Sequence, residues 1–262
     1  MRRFRTAAVV TGCALIPLLI PTALVLVASL SDGSVLTFPP HGLTFHWYTA
    51  MLGNDAVWSA LGNSLYVAGL SVVLNILCGV PAALALPTVG RYSAALFTIV
   101  LSLGLSSPTI VTAFAYFDVY SQLGVGNNLT AVAVAVAVTS FPFMLWTVRA
   151  AQDDLGSDLL PAAATMGADP VEQFLFVRLP LLAPGIITGA LVVFVLSITD
   201  FVVSQVLTTV DDQTLPVYIY SGLRGAISPD LGAASALFIV VVAVAFAIVL
   251  RVGKVERFLF RT

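Results

Sequence analysis

Charge is what this chain has least of. Only 9% of its 262 residues are Asp, Glu, Lys or Arg, against about 25% in an ordinary soluble domain. So few charges cannot cover the surface of a water-soluble globule of this size. The shortage excludes a soluble enzyme, a nucleic-acid binder and a disordered chain. Cysteine is scarce too. Cys13 and Cys78 both sit in apolar runs, which reads as buried packing rather than a disulfide or a metal pair. The two histidines, His41 and His46, fall five residues apart in one polar stretch. A metal reading stands open there, beside the commoner one of ordinary loop contacts. No G-x-x-x-x-G-K-[ST] segment occurs, so the chain carries no phosphate-cradling loop for ATP.

What the chain has in quantity is apolar side chain, 59% of the total. A helix rises about 1.5 Å per residue, so roughly 20 apolar residues cross a hydrocarbon core about 30 Å thick. Six stretches meet that length: Ala7–Leu30, Leu61–Leu86, Ser93–Phe117, Leu129–Val148, Leu181–Val210 and Leu231–Leu250. The expected fold is an all-α membrane protein, a single transmembrane domain over residues 1–262 with six spans. Only the fifth span holds a charged residue, Asp200. Ala131–Val138 alternates Ala and Val strictly, a strand pattern taken alone. Helix is nevertheless expected, because a lone strand in lipid leaves its backbone polar groups unpaired.

Ten of the eleven basic residues fall before the first span, after the sixth, or in the second–third and fourth–fifth connections; Arg224 is the exception. The positive-inside rule then places both termini in the cytoplasm. The first span exceeds the apolar core of a signal peptide and is expected to be retained. On the opposite side lie the loops 31–60, 118–128 and 211–230, none expected to bury a core of its own. Trp47, Tyr48 and Trp58 are expected at headgroup level. Asn128-Leu129-Thr130 fits a glycosylation acceptor, a pattern common by chance.

The connection Arg149–Pro180 is the most informative. Ser157 or Asp158 can cap a short helix through Ala162, Ala163 and Ala164, with Pro161 in its first turn and Gly167 as a left-handed stop. Asp169-Pro170-Val171-Glu172 is a capping-box pattern with proline at the first helical position, so a second short helix is expected from there to Leu179-Pro180. Small residues on the first helix (Ala162, Ala163, Gly167, Ala168) permit close approach by another surface. An interfacial lipid-anchoring helix is the alternative, but such helices favour Lys and Arg, which this one lacks.

These residues resemble the signature loop of ABC-importer permeases. In that family a Glu-Ala-Ala triplet is followed, four residues after its last alanine, by glycine and later by Leu-Pro. Within Pro161–Ile186, the residues Ala162, Ala163, Gly167, Leu179 and Pro180 match; Pro161 replaces the glutamate and Thr165 a frequent aspartate. Asn63–Leu86 looks like the family's second span. Asp200-Phe201 followed by Leu215-Pro216-Val217-Tyr218-Ile219-Tyr220-Ser221 resembles the spermidine/putrescine-type branch, where the second motif is a loop.

The resemblance implies a type I importer permease fold in a bacterial inner membrane, not an enzyme. It implies two separate ATPases that bind ATP and Mg, a second and related permease, an extracytoplasmic substrate-binding protein, lipid, and no cofactor on this chain. The ATPase contact would fall on Asp158, Pro161, Ala162, Ala163, Gly167, Ala168 and Asp169. The substrate pathway would fall on Asp200, Phe201, Tyr218 and Tyr220. Asp200 has two open readings, a pathway acid for a cation or a structural partner of the second permease, since a span acid avoids lipid. Seven acids against Arg224 on the outer side and outer membrane half suit a cationic ligand. Iron complexes, phosphonate, thiamine and sulfate have related permeases, and a non-transport anchor is a distant alternative. An intramembrane enzyme lacks the nucleophile–base pair it would need.

Overall fold

The computed structural model describes residues 17, 19–33, 42–156, 159–225 and 229–252. Ser157, Asp158, Cys13 and His41, named above, lie outside the described residues. Helices carry the architecture, and among the described residues β-type pairing is limited to one isolated bridge, Ser31 with Leu43. Among the described residues, four helices are long and apolar enough to cross a membrane: Asp55–Thr88, Leu129–Asp153, Pro170–Ile198 and Asp230–Ala247. Of the first expected span the apolar helix α1, Leu19–Ala28, is described. Packing divides the chain into two units, one drawn from Met1–Leu61 with Leu215–Val241, the other from Gly62–Thr214 with Val242–Thr262.

The larger unit is organised around α6 (Leu129–Asp153). Asn128 starts it, its side chain accepting from the Ala131 N–H at 2.9 Å, so the acceptor-pattern asparagine serves as a helix cap. The Ala–Val alternation is helical, with Ala131, Val132, Ala133, Ala135, Val136 and Ala137 all buried. Two polar residues of α3 (Asp55–Ala85) bond to it. Ser71 Oγ donates to the Ala133 carbonyl at 2.9 Å, and Asn75 Nδ2 donates to the Ala137 carbonyl at 3.1 Å and Ser140 Oγ at 3.2 Å. In an apolar medium such interhelical bonds fix register. On α9 (Leu179–Ile198) the glycines 185 and 189 face α6. A Cβ at Gly185 would collide with Ala151, and one at Gly189 with Thr147 and, at 2.7 Å, with Met144 Sδ.

Two expected spans are broken. The third becomes α4 (Arg91–Ser106) and α5 (Thr109–Gln122), bent by 104°. Pro108 drives Ser107 out of the helical region, to φ −74° and ψ 137°. The fifth stops at Ile198 and restarts as α10 (Val202–Leu207). A third expectation fails in the other direction. The helix beginning at Pro170 does not end at Leu179-Pro180. It passes from α8 (Pro170–Glu172) through a π-helical turn, Gln173–Arg178, directly into α9. Pro180 follows that wider turn, where the ordinary ladder is already interrupted, so its missing N–H breaks nothing further.

The smaller unit has its own core of Met51, Val57, Ala60, Leu61, Leu215, Ala233 and Ala234, with Trp47 and Tyr48 packed on it. The loops thus bury a core once joined to helix ends. Trp47 Nε1 donates to the Ser31 carbonyl at 2.9 Å, and Tyr48 Oη lies 2.6 Å from Ser29 Oγ. These aromatics tie α2 (His46–Leu52) to the segment after α1. The 215–221 motif is the amphipathic helix α11 (Leu215–Gly225) rather than a loop, with Leu215 and Val217 buried. The last helix is α12 (Pro229–Val252). Cys78 is exposed rather than buried; it lines an apolar groove of about 330 Å³ with Leu74, Leu101 and Phe141. No group of three or more metal-ligating side chains exists among the described residues.

Candidate functional site

The loop between α6 and α9 is built by local rules. Its first helix, α7 (Leu159–Thr165), places Pro161 in the first turn. Gly167 closes it at φ 92°. The Gly167 N–H donates to the Ala164 carbonyl at 3.0 Å and the Ala168 N–H to the Ala163 carbonyl at 3.1 Å. That pair is a Schellman motif, which needs a residue at ease with positive φ. Asp169 follows at once. Its Oδ1 accepts from the Val171 and Glu172 N–H groups at 2.8 Å each, and Glu172 Oε2 accepts from the Asp169 N–H at 3.0 Å. The capping box is complete, with Pro170 behind it.

A stop and a start back to back make a rigid two-helix tip. Pro161, Ala162, Gly167 and Asp169 are exposed on it, and Ala163 and Ala168 half-buried. The sequence reading missed Met166, which is 90% exposed, and Val171 beside the cap, also exposed. Their signal was present: an apolar residue wedged between an alanine helix and its glycine stop, and another inside a capping box. An apolar thioether held in solvent on a rigid tip has the makings of an anchor for a second protein.

The pathway candidates fall in two places. Asp200 and Phe201 occupy the break between α9 and α10, in the larger unit. Asp200 Oδ2 accepts from the Ser204 N–H at 2.9 Å and from Ser204 Oγ at 3.0 Å. The carboxylate therefore starts a helix inside a span. Tyr218 and Tyr220 belong to α11 in the smaller unit. Tyr218 Oη accepts from Asn54 Nδ2 at 3.4 Å, and the Arg224 guanidinium lies 6.0 Å from the centroid of the Tyr220 ring. Asn75 and Ser106, polar residues within apolar helices, bond to helix backbones.

Residues 75–255 match the family model described as "Binding-protein-dependent transport system inner membrane component". The putrescine transport system permease protein PotI of Escherichia coli is 25% identical over 205 residues, covering 76% of this chain and 73% of that one. The molybdenum transport system permease protein ModB of Mycobacterium bovis is 33% identical over 224 residues, covering 79% and 82%. Among solved structures, a bacterial alginate ABC transporter in complex with an alginate-pentasaccharide-bound periplasmic protein contains a chain of the same fold, with TM-score 0.71 at 16% identity, over all of this chain and 96% of that one.

Proposed function

We propose that this chain, which belongs to the family of binding-protein-dependent transport system inner membrane components, serves an importer of cationic polyamines, receiving motion from an ATPase through the tip at Leu159–Glu172. As a family member it is a multi-pass membrane permease component of an ABC importer and not an enzyme; hydrolysis of ATP belongs to separate subunits. The observation that carries the proposal is the back-to-back Schellman stop and capping box, which makes the tip stiff enough to transmit force. The partners in this reading are two ATPases holding ATP and Mg, a second related permease and an extracytoplasmic binding protein. The periplasmic protein bound in the alginate transporter supports the last of these. With the tip in the cytoplasm, both termini lie there too, in keeping with the basic-residue asymmetry.

In this mechanism ATP-driven closure of the ATPase pair moves the tip, and the displacement passes from there into the helices of the bilayer. The pathway alternates between outward- and inward-open states, one of which ATP must favour. Substrate enters past Tyr218 and Tyr220, and Asp200 with Phe201 receives its ammonium group. Replacement of Gly167 by Trp forces a bulky residue into left-handed backbone at the tip. It is expected to abolish co-purification of the ATPase while membrane insertion continues, and intact co-purification would defeat the coupling assignment.

The ModB likeness, the higher in identity of the two relatives, favours a second reading, a molybdenum oxyanion as cargo. Asp200→Asn separates them, because asparagine keeps an oxygen for Ser204 and loses only the charge. Uptake of labelled spermidine is expected to fall roughly tenfold with assembly intact. Molybdate uptake that rises or stays level in that variant, with no spermidine uptake in the native protein, would establish the second reading.

A further inference from the structure

Three helix ends meet at one amide. Gln152 lies in the last turn of α6, and Ala83 in the last turn of α3. Arg178 ends the π turn that joins the tip to α9. The Gln152 amide satisfies both neighbours in a single orientation: Nε2 donates to the Ala83 carbonyl at 3.1 Å, and Oε1 accepts from the Arg178 guanidinium. The Ala83 carbonyl is one of the last four of α3, which have no partner within their own helix. A guanidinium beside it also complements the negative end of the α3 dipole. Next to this junction Leu155, Gly156, Leu159, Leu160, Val177 and Leu181 line, with Gln152 and Arg178, a small cavity of about 170 Å³.

The cavity means that α7 is not seated by solid packing there, so apolar contacts alone leave the tip room to shift. A π turn adds to the slack, since its wider backbone is a common site of local adjustment. Something must carry displacement past it. We infer that Gln152, bridging Arg178 to the Ala83 carbonyl, is the positioning residue that makes α3, α6 and the α8–α9 rod respond together when the tip moves. This inference rests on the tip being the ATPase contact. Neither Gln152 nor Arg178 touches substrate; both act through the helices they join.

The test is hydrogen exchange of the complete transporter in lipid, with and without trapping by ATP and vanadate, which leaves ADP and vanadate in the ATPase, in native protein and in Gln152→Leu, Gln152→Glu and Arg178→Lys. Trapping in the native complex is expected to change exchange by roughly threefold or more both in the π turn, 173–178, and at the end of α3, 83–88. In Gln152→Leu the π turn still responds and the α3 end does not. Arg178→Lys, which keeps a charged donor, retains the response at 83–88. Equal responses at both places in Gln152→Leu overturn the inference. Loss of the ATPase from that variant overturns it as well, because Gln152 would then shape the tip rather than relay its motion. Should the leucine variant not insert, Gln152→Glu decides: it keeps the Arg178 contact, loses the donor to Ala83, and must lose the 83–88 response. A native complex in which the π turn itself ignores trapping defeats the coupling assignment instead, a result distinct from failure of the bridge.

Discussion

Helices α6 and α4 are both apolar stretches of the same chain, yet their surroundings differ. Twelve of the 25 residues of α6 are buried within the chain, and none of the 16 of α4. The difference lies in side-chain size. Its buried face carries alanine at 131, 133, 135, 137 and 151, and small residues let neighbouring backbones come close enough for dispersion and interhelical hydrogen bonds. Leu96, Ile99, Val100 and Leu103 of α4 are exposed, and large branched side chains suit lipid or a partner surface instead. Hydropathy reports that a segment tolerates a membrane; residue size reports what it meets there.

The sharpest way to break the contrast is to enlarge a contact on the enclosed side. Gly189→Leu drives a side chain into Thr147 and Met144, with the Met144 backbone 3.3 Å from where the new Cβ would sit. Overpacking a tight site costs about 1–3 kcal/mol and occasionally more, and backbone on one side leaves little room to yield. The expected result is loss of folded protein, read as the yield of monodisperse material in detergent. A leucine there with native yield and melting temperature would mean that α6 and α9 are not held as close as described.

A smaller effect is expected where a polar bond, not volume, holds the two helices. Asn75→Leu removes the donations to Ala137 and Ser140. It also removes Asn75 Oδ1, which is buried without a partner, so part of the loss is offset. Interhelical hydrogen bonds in membrane proteins average about 0.6 kcal/mol, and a destabilisation of about 0.5–1 kcal/mol is the expected outcome in a denaturation series. Several kcal/mol would show that the bond network, rather than small-residue contact, sets the α3–α6 register.

The same division between local and non-local causes decides what could be read from the sequence. The tip was legible in detail because each part answers to a near neighbour: Gly167 to positive φ, Asp169 to the N–H groups two and three residues on, Pro170 to the first helical position. The breaks within spans were not. Pro108 stood in plain view, but five of the six apolar runs contain proline, and Pro81, Pro142 and Pro184 sit inside intact helices. A proline in an apolar run therefore does not by itself mark a break, and no single segment encodes which of them bends. Asp200 was legible as an acid in a span; its bonds to Ser204 in the first turn of α10 were hidden by the assumption that the fifth span runs unbroken. The Gln152 bridge joins residues far apart in the chain and leaves no mark in any local pattern.

On the exposed side of the contrast, Leu103→Ala on α4 is expected to do almost nothing to the chain itself. Leu103 is 65% exposed, and α4 buries no residue from which support could be withdrawn, so the change in stability should stay within about 0.5 kcal/mol. Association is a different matter. If α4 faces a second permease, trimming a large side chain at that surface weakens the pair while the isolated chain melts as before. If α4 faces lipid, both quantities stay put, since an acyl chain fills the space an isobutyl group leaves. Pairing measured in lipid as a function of dilution, next to melting of the single chain, separates the two. Destabilisation of the lone chain by more than 1 kcal/mol would contradict the contrast itself, because Leu103 would then have to be packed within its own fold.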